Sequence, residues 1–234
     1  MKQVLGSSKT KVRLLIPEDE SIAPMVENVK QYRPGEVKTP RPEGPRLAFT
    51  FEVRETDLQG RIGTLKIGSK TLETPYMFPV IHPVSQGVTA DELRAMGYRG
   101  LMTNSYILRT RRKDEALREG IHKLLGFDGI FMTDSGGYQV LEYGDLGVTY
   151  TEVASFQSAI GSEIAVTLDR PTGYPQTREI AKQTVEYSLE NAEATLREFG
   201  GSQTNWVGPI QGGLYEDLVR RSASSLVRAG FSYL

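Results

Sequence analysis

Six short apolar runs recur along the chain at roughly thirty-residue spacing, and this pattern limits the fold more than any other feature. They are YMFPV at 76–80, GLMTNS at 100–105, GIFMTDS at 129–135, IAVTLD at 164–169, NWVGPIQ at 205–211 and FSYL at 231–234. All but the last are followed by a stretch with helical signals. Thr89 and Glu92 have the spacing of a capping box. Asp114 opens a helix that places Leu117, Ile121, Leu124 and Leu125 on one face, and Thr151 opens another. Residues 177–199 carry Val185, Leu189, Ala192, Leu196 and Phe199 at alternating four- and three-residue steps, stopped by Gly200-Gly201. Leu214 to Ala229 forms the next helix, closed by Gly230. Apolar strands that alternate with amphipathic helices are buried on both faces, which implies βα units on a parallel sheet. Six strands suit a doubly wound sheet. A barrel needs eight strands and typically about 250 residues, and would here be two units short.

Ahead of this series, FTFEVRE and GTLKIGSKTLETP are β-rich around turn residues and read as hairpin strands. The chain divides near residue 46. Residues 1–46 hold six of the twelve prolines and nine Lys+Arg against six Asp+Glu. They read as an irregular, charged N-terminal extension that buries little, with KVRLLIP a short strand and 22–30 a short helix. The extension is a tail, a remnant of an upstream module, or a basic arm that touches nucleic acid. The 47–234 segment is the folded domain.

Polar residues gather where such a fold places its chemistry. Successive strands end in Thr103-Asn104-Ser105, in Thr133-Asp134-Ser135-Gly136-Gly137, in Leu168-Asp169 and in Gln211-Gly212-Gly213. In a parallel sheet or barrel these ends converge on one face, the default place for a ligand. Asp134, followed by Ser and two glycines, is the foremost candidate; its bland alternative is a turn cap. Asp169 before Arg-Pro has a similar alternative. Tyr138 beside the glycine pair offers an aromatic face to a planar ring. Arg109, Arg111, Arg112 and Lys113 form a basic run at the same end, either a solvated loop or a set of phosphate contacts. Glu142 and Glu163 read as surface residues, and His122 as a surface or packing residue of its helix.

Composition then removes whole classes. With no cysteine and two histidines, the chain has no disulfide, Cys-zinc or iron–sulfur site and no thiol nucleophile. A net charge of -1 excludes a globally basic nucleic-acid binder but not a local patch. No P-loop is present, and no GxGxxG follows a strand. No apolar run approaches a membrane span and no signal peptide is read, so a cytoplasmic protein with no membrane partner is expected. Two carboxylates in one site without metal ligands suit chemistry at an anomeric carbon. One can bond or stabilise the sugar centre, and the other can move a proton or read a leaving base.

The string TDSGGYQV at 133–140 resembles the active-site signature of the tRNA-guanine transglycosylases. GRIGTLKIGSKTLETPYMFPV, TNSYIL, LLGFDGIFMTDSGGYQV, the LD and PT pairs at 168–172, and PIQGG at 209–213 agree in order and spacing from about Leu47 to Leu234. TNSYIL, EYGDLGVTYTEVASFQSAIGSEI and LD-x-PT are more similar to the archaeal, archaeosine-forming branch than to the bacterial one. The resemblance implies a (β/α)8 TIM-type barrel of which about six βα units are here. It implies exchange of a guanine in tRNA for a 7-deazaguanine base, 7-cyano-7-deazaguanine in the archaeal branch, without backbone cleavage. The target nucleotide must leave its stack to reach such a pocket. Asp134 is then the acidic residue of the DSGG motif, serving as nucleophile or general acid/base. Asp169 reads the base edge, with Ser135, Gly137, Gln211, Gly212 and Gly213 at base-pocket positions and Tyr138 stacking on the ring.

The family's second catalytic aspartate, its three-Cys, one-His zinc site and its last barrel strands lie beyond the Gln-Gly-Gly motif, further than this sequence extends. No cofactor is expected in this chain. The expected partners are tRNA, guanine or a 7-deazaguanine, and a C-terminal half or another copy of the chain. The competing functional readings are a non-catalytic base- or tRNA-binding subunit, an inactive fragment that needs a C-terminal partner, and an unrelated barrel hydrolase or lyase built on Asp134 and Asp169.

Overall fold

The computed structural model describes residues 49–58, 60–139 and 147–234, all within one compact unit spanning 33–234. The N-terminal extension and Glu142 lie outside the described residues. The first described elements are antiparallel: β1 (Phe49–Asp57), β2 (Gly60–Ile67) and β3 (Lys70–Thr74), in the order β1-β2-β3. The hairpin reading holds, with a register shift between Val53 and Glu55.

A parallel sheet follows: β4 (Gly100–Asn104), β5 (Ile130–Asp134), β6 (Ile164–Val166) and β7 (Asn205–Val207), in sequence order. The other two apolar runs join it by single parallel bridges, Val80 to Met102 on one side and Val207 to Tyr233 on the other. All six runs therefore lie side by side in chain order. The helices are α1 (Ala90–Ala95), α2 (Ser105–Arg111), α3 (Lys113–Leu125), α4 (Tyr150–Ala159), α5 (Arg178–Phe199) and α6 (Glu216–Ala229). None among the described residues is long and apolar enough to cross a membrane.

Strand alternation sorts the core into two faces. Leu101 and Phe131 point to the helices and pack with Leu93, Leu108, Ile121 and Phe156. Ala165 and Trp206 do the same against Val185, Leu189 and Phe199 of α5 and Leu218 and Leu226 of α6. The intervening residues Ile130, Met132, Ile164 and Val207 point to the opposite face, where they meet Leu65, Ile67 and Leu72 of the antiparallel sheet. The antiparallel sheet thus covers the N-terminal end of the parallel strands and leaves their C-terminal ends free. Each large side chain fully buried in this way contributes about 1.5–3 kcal/mol.

Local signals explain most helix boundaries. Thr89 and Glu92 form the expected capping box of α1. The helix read from Thr151 begins one residue earlier, at Tyr150, because Thr149 is the cap and forms a reciprocal box with Glu152. In α5, Val185, Leu189, Ala192 and Phe199 are buried as expected, and Gly200 is the C-cap.

Three expectations require correction. The face assigned to α3 is not continuous: Gly120 has φ 75°, and beyond this break Ile121 donates its N–H to Ile160 O at 2.7 Å. The interruption rephases the helix, so Ala116, Ile121 and Leu125 are buried while Leu117 is 43% exposed. Arg109 and Arg111 stand in helix α2 rather than in a loop, because Asn104 caps Ile107 N–H and starts a helix directly at the strand end. Glu163, expected at the surface, is 6% exposed. It sits just before β6, accepts the N–H of Phe131 at 2.8 Å, pairs with Lys70 of β3 and lies 2.9 Å from Nε2 of His122. Burial alone would raise its carboxyl, but His122, Lys70 and the Phe131 N–H outweigh that and hold it below the usual range. Lys70 also donates to Gly129 O at 2.7 Å, and His122 Nδ1 lies 2.9 Å from Phe127 O. His122 is therefore a packing residue that links α3 to the sheet floor.

Candidate active site

The polar strand ends do converge. Asn104 and Asp134 are register partners at the C-terminal ends of β4 and β5. Asn104 Nδ2 donates to Asp134 Oδ2 at 3.1 Å and lies 3.3 Å from Gln139 Oε1. The other carboxylate oxygen, Oδ1, accepts the N–H of Gly136 at 2.9 Å. Asp134 is thus a turn cap on one oxygen, and its other oxygen faces the neighbouring strand end at Asn104. Gly136 has φ 80°, and a Cβ there would stand 2.5 Å from Tyr106 Cβ, so the turn demands glycine.

A second cluster forms one strand further along. Asp169 is buried; its Oδ1 accepts the Ser135 hydroxyl at 3.0 Å and its Oδ2 accepts the Gln211 amide at 2.8 Å. Ser135 Oγ in turn accepts the Gly137 N–H at 3.1 Å. A Cβ on Gly137 would lie 2.4 Å from Asp169 Oδ1, so this glycine lets backbone and carboxylate meet. Gln211 is fixed from both sides: Thr172 N–H donates to its Oε1 at 2.9 Å, and its own N–H donates to Ser222 Oγ at 3.1 Å. Gly212 N–H reaches Thr172 Oγ1 at 3.3 Å, and Thr172 Oγ1 lies 2.6 Å from Thr184 Oγ1 of α5. The Arg170 N–H donates to Ser188 Oγ at 3.0 Å and its guanidinium lies 4.6 Å from the Tyr187 ring centroid, pinning the Asp169 loop to α5. Gly213, with φ 56°, is exposed beside Thr172.

Both aspartates are poor places for charge. Burial pushes the Asp134 carboxyl up from 3.8 to about 6; the Gly136 N–H and the Asn104 amide pull it part of the way back, and nearby Asp169 adds to the rise. Burial also raises Asp169, against the opposing pull of the Ser135 hydroxyl and the Gln211 amide. Two carboxyls displaced upward by desolvation at one strand-end cluster do not stabilise the fold through their charge, which makes them candidate functional groups. The arrangement can hold a planar, donor-rich heterocycle edge-on at Asp169 and move a proton at Asp134.

Of the sequence candidates, Asp134, Asp169, Ser135, Gly137, Gln211 and Gly212 are brought together. Tyr138 is adjacent and 67% exposed, an open ring at the rim. In the basic run, Arg112 is committed elsewhere: it pairs with Glu115 and donates to Pro83 O at 3.1 Å. Arg109, Arg111 and Lys113 meet no carboxylate among the described residues. Asn104, Gln139 and Thr172 join these hydrogen-bonded clusters, with no role assigned to them from the sequence. Asn104 sat in a noted strand end, but its partners Asp134 and Gln139 are distant in sequence. Among the described residues no cluster of His, Asp and Glu is grouped to hold a metal ion.

Comparisons with known proteins converge on one group. The family described as "TGT: Queuine tRNA-ribosyltransferase" matches residues 57–234. A tRNA-guanine(15) transglycosylase of Aeropyrum pernix is 45% identical over 181 residues, covering 77% of this chain and 35% of that protein. The protein of the same name from Nanoarchaeum equitans is 44% identical over 172 residues, covering 74% and 41%. That from Korarchaeum cryptofilum is 42% identical over 191 residues, covering 80% and 32%. The chain thus spans between about a third and two fifths of the length of these archaeal relatives.

Proposed function

The chain belongs to the queuine tRNA-ribosyltransferase family, and from that premise we propose that it forms the base pocket and one reacting carboxyl for guanine exchange in tRNA. The observation that carries this reading is the joined pair of clusters: Asn104–Asp134 on one side, Ser135–Asp169–Gln211 on the other. Asp169 accepts from the N–H donors of a guanine-like edge, backbone groups at Gly137 and Gly212 approach the ring, and Tyr138 covers its face. The names of the archaeal relatives favour guanine 15 as the target and the sequence resemblance favours 7-cyano-7-deazaguanine as the incoming base. Arg109, Arg111 and Lys113 receive phosphates of the RNA strand. Arg112 is withdrawn from that set because its guanidinium is already bound to Glu115 and Pro83 O.

A carboxyl titrating at about 6 is suited to proton transfer near neutral pH. In the proposed exchange the C1′–N bond breaks with its electron pair leaving on the base, Asp134 gives that base a proton, and the incoming base returns one as the new bond forms. The group that holds C1′ meanwhile, a second aspartate by the family resemblance, belongs to the part of the relatives that this chain does not span. We likewise place the six parallel segments as six of the eight strands of a (β/α)8 barrel, with the remainder corresponding to that part of the relatives. The family's zinc site needs cysteines that this chain does not have; its residues do not fit that metal, and no step here uses one.

The test is incorporation of labelled guanine into tRNA by the 234-residue chain, with and without a second chain carrying the remaining length of a relative. The expected result is exchange in the reconstituted pair and its loss by about 10²–10⁴-fold in Asp134→Asn, with guanine binding retained. Full activity of Asp134→Asn would remove this residue from the reaction. Guanine and tRNA binding without exchange in any combination would make the chain a binding subunit.

A further inference from the structure

The register places one more side chain at the mouth of the sheet, and the pocket chemistry above leaves it unused. Val80 is the bridge partner of Met102, Met102 pairs with Met132, and Asn104 pairs with Asp134. Ile81 stays beside β4, donating its N–H to Met102 O at 2.8 Å and accepting the Thr103 hydroxyl at 2.8 Å, so His82 follows at the level of Asn104 and Asp134. Neighbouring strands are about 4.8 Å apart, which puts His82 about 10 Å from Asp134 with the β4 strand between them. Asp169 and Gln211 lie on the other side of Asp134, on the β6 and β7 side. A nucleotide whose base is held by Asp169 and whose glycosidic bond faces Asp134 has Asn104 and His82 on the side away from the base, within reach of its phosphates.

The imidazole is left with one nitrogen as a donor. His82 Nδ1 accepts the backbone N–H of Val84 at 3.2 Å and of Ser85 at 3.0 Å. A ring nitrogen that accepts carries no hydrogen, so the neutral ring bears its N–H on Nε2, and the residue is exposed. The loop is anchored: Pro83 is buried and its carbonyl accepts Arg112 Nη1 at 3.1 Å. That contact joins the His82 loop to the α2–α3 junction, where Arg109, Arg111 and Lys113 are found.

We propose that His82 is a substrate-backbone contact, its Nε2–H donating to a phosphate oxygen of the RNA strand beside the nucleotide whose base occupies the Asp169–Gln211 subsite. The proposal rests on reading that subsite as the base pocket of a tRNA-modifying fold. It assigns this histidine a role in RNA affinity and none in base recognition.

The decisive variant is His82→Asn, whose side-chain oxygen can still accept the loop N–H groups while the outward-reaching N–H is lost. Binding of the 234-residue chain to an unmodified tRNA transcript and to free guanine is measured for wild type, His82→Asn and His82→Ala, with thermal unfolding monitored for each. The expected result is about tenfold weaker tRNA binding in both variants, with guanine affinity within twofold and the unfolding temperature of His82→Asn unchanged. Unaltered tRNA affinity in His82→Asn would overturn the proposal, as would a parallel loss of guanine affinity. A wild-type chain that binds guanine but not tRNA would overturn it through the RNA reading. A chain that binds neither would overturn the base-pocket reading along with it.

Discussion

At the N-terminal end of the parallel sheet, Glu163 faces Lys70 and His122 and accepts a backbone N–H. At the C-terminal end, Asp134 and Asp169 face amides, a hydroxyl, a backbone N–H and one another. All three carboxylates are largely withdrawn from water, yet the first is held below its ordinary titration range and the other two above theirs. The difference is the presence of cations. The floor neutralises its charge and ties β3, α3 and β6 together. The mouth meets its carboxyls with neutral donors alone. The same strand scaffold thus has an end with compensated charge and an end, the proposed reactive one, without it, and substitutions should separate the two.

The largest stability effect is expected at the floor. Glu163→Gln leaves Lys70 and His122 without their anion and should lower unfolding free energy by about 3 kcal/mol at pH 7, measured by urea or thermal denaturation. The gap to wild type should close as pH falls below 4.5 and Glu163 itself becomes protonated, because a depressed carboxyl gives its stability above the unfolded value and loses it through the lower folded one. Guanine affinity of the folded variant should stay within twofold. A loss of guanine affinity as large as the loss of stability would show that floor and mouth are one cooperative device.

The mouth should respond to pH with the opposite sign. A folded-state value near 6 against 3.8 means that the folded protein binds more protons between these limits, so the Asp134 contribution to stability declines as pH rises from 4 to 6. Asp134→Asn should therefore match wild type near pH 4 and exceed it by about 2 kcal/mol above pH 6. Stability curves for the two proteins from pH 4 to 8 provide the measurement. A variant less stable than wild type at pH 7 would mean that the Asn104 and Gly136 bonds outweigh the burial of charge.

The same contrast explains how much of the molecule could be read from its sequence. Strands, caps and the amphipathic face of α5 are local or periodic properties, and six apolar runs in order were enough to place six parallel segments. The DSGG and Gln-Gly-Gly motifs could be read because each combines a polar group with glycines that a close approach requires, as a Cβ added to Gly137 would stand only 2.4 Å from Asp169 Oδ1. Glu163 was misread because Lys70 and His122 lie far from it in sequence, so nothing nearby marks its burial. Leu117 was misread because Gly120 breaks a helix whose other residues continue the period. Asn104 carried no role because its importance comes from a register with Asp134 that only the folded sheet creates. What escaped was long-range pairing of polar groups, at both ends of the sheet.

The smallest effect sharpens the comparison most, since it should alter binding without altering the fold. The Tyr138 ring is 67% exposed beside the glycine pair, so it gives up little on unfolding and is free to stack on a bound base. Tyr138→Ala should weaken guanine binding by about 1 kcal/mol, or roughly fivefold, the lower end of base–aromatic stacking, while Tyr138→Phe keeps the affinity because the ring face is preserved. Neither variant should shift the unfolding temperature measurably, in contrast to Glu163→Gln. Isothermal titration with guanine beside a thermal melt separates the two readouts. If Tyr138→Phe weakened binding as much as Tyr138→Ala, the hydroxyl and not the ring face would be the contact, and the mouth would recognise its ligand by hydrogen bonds alone.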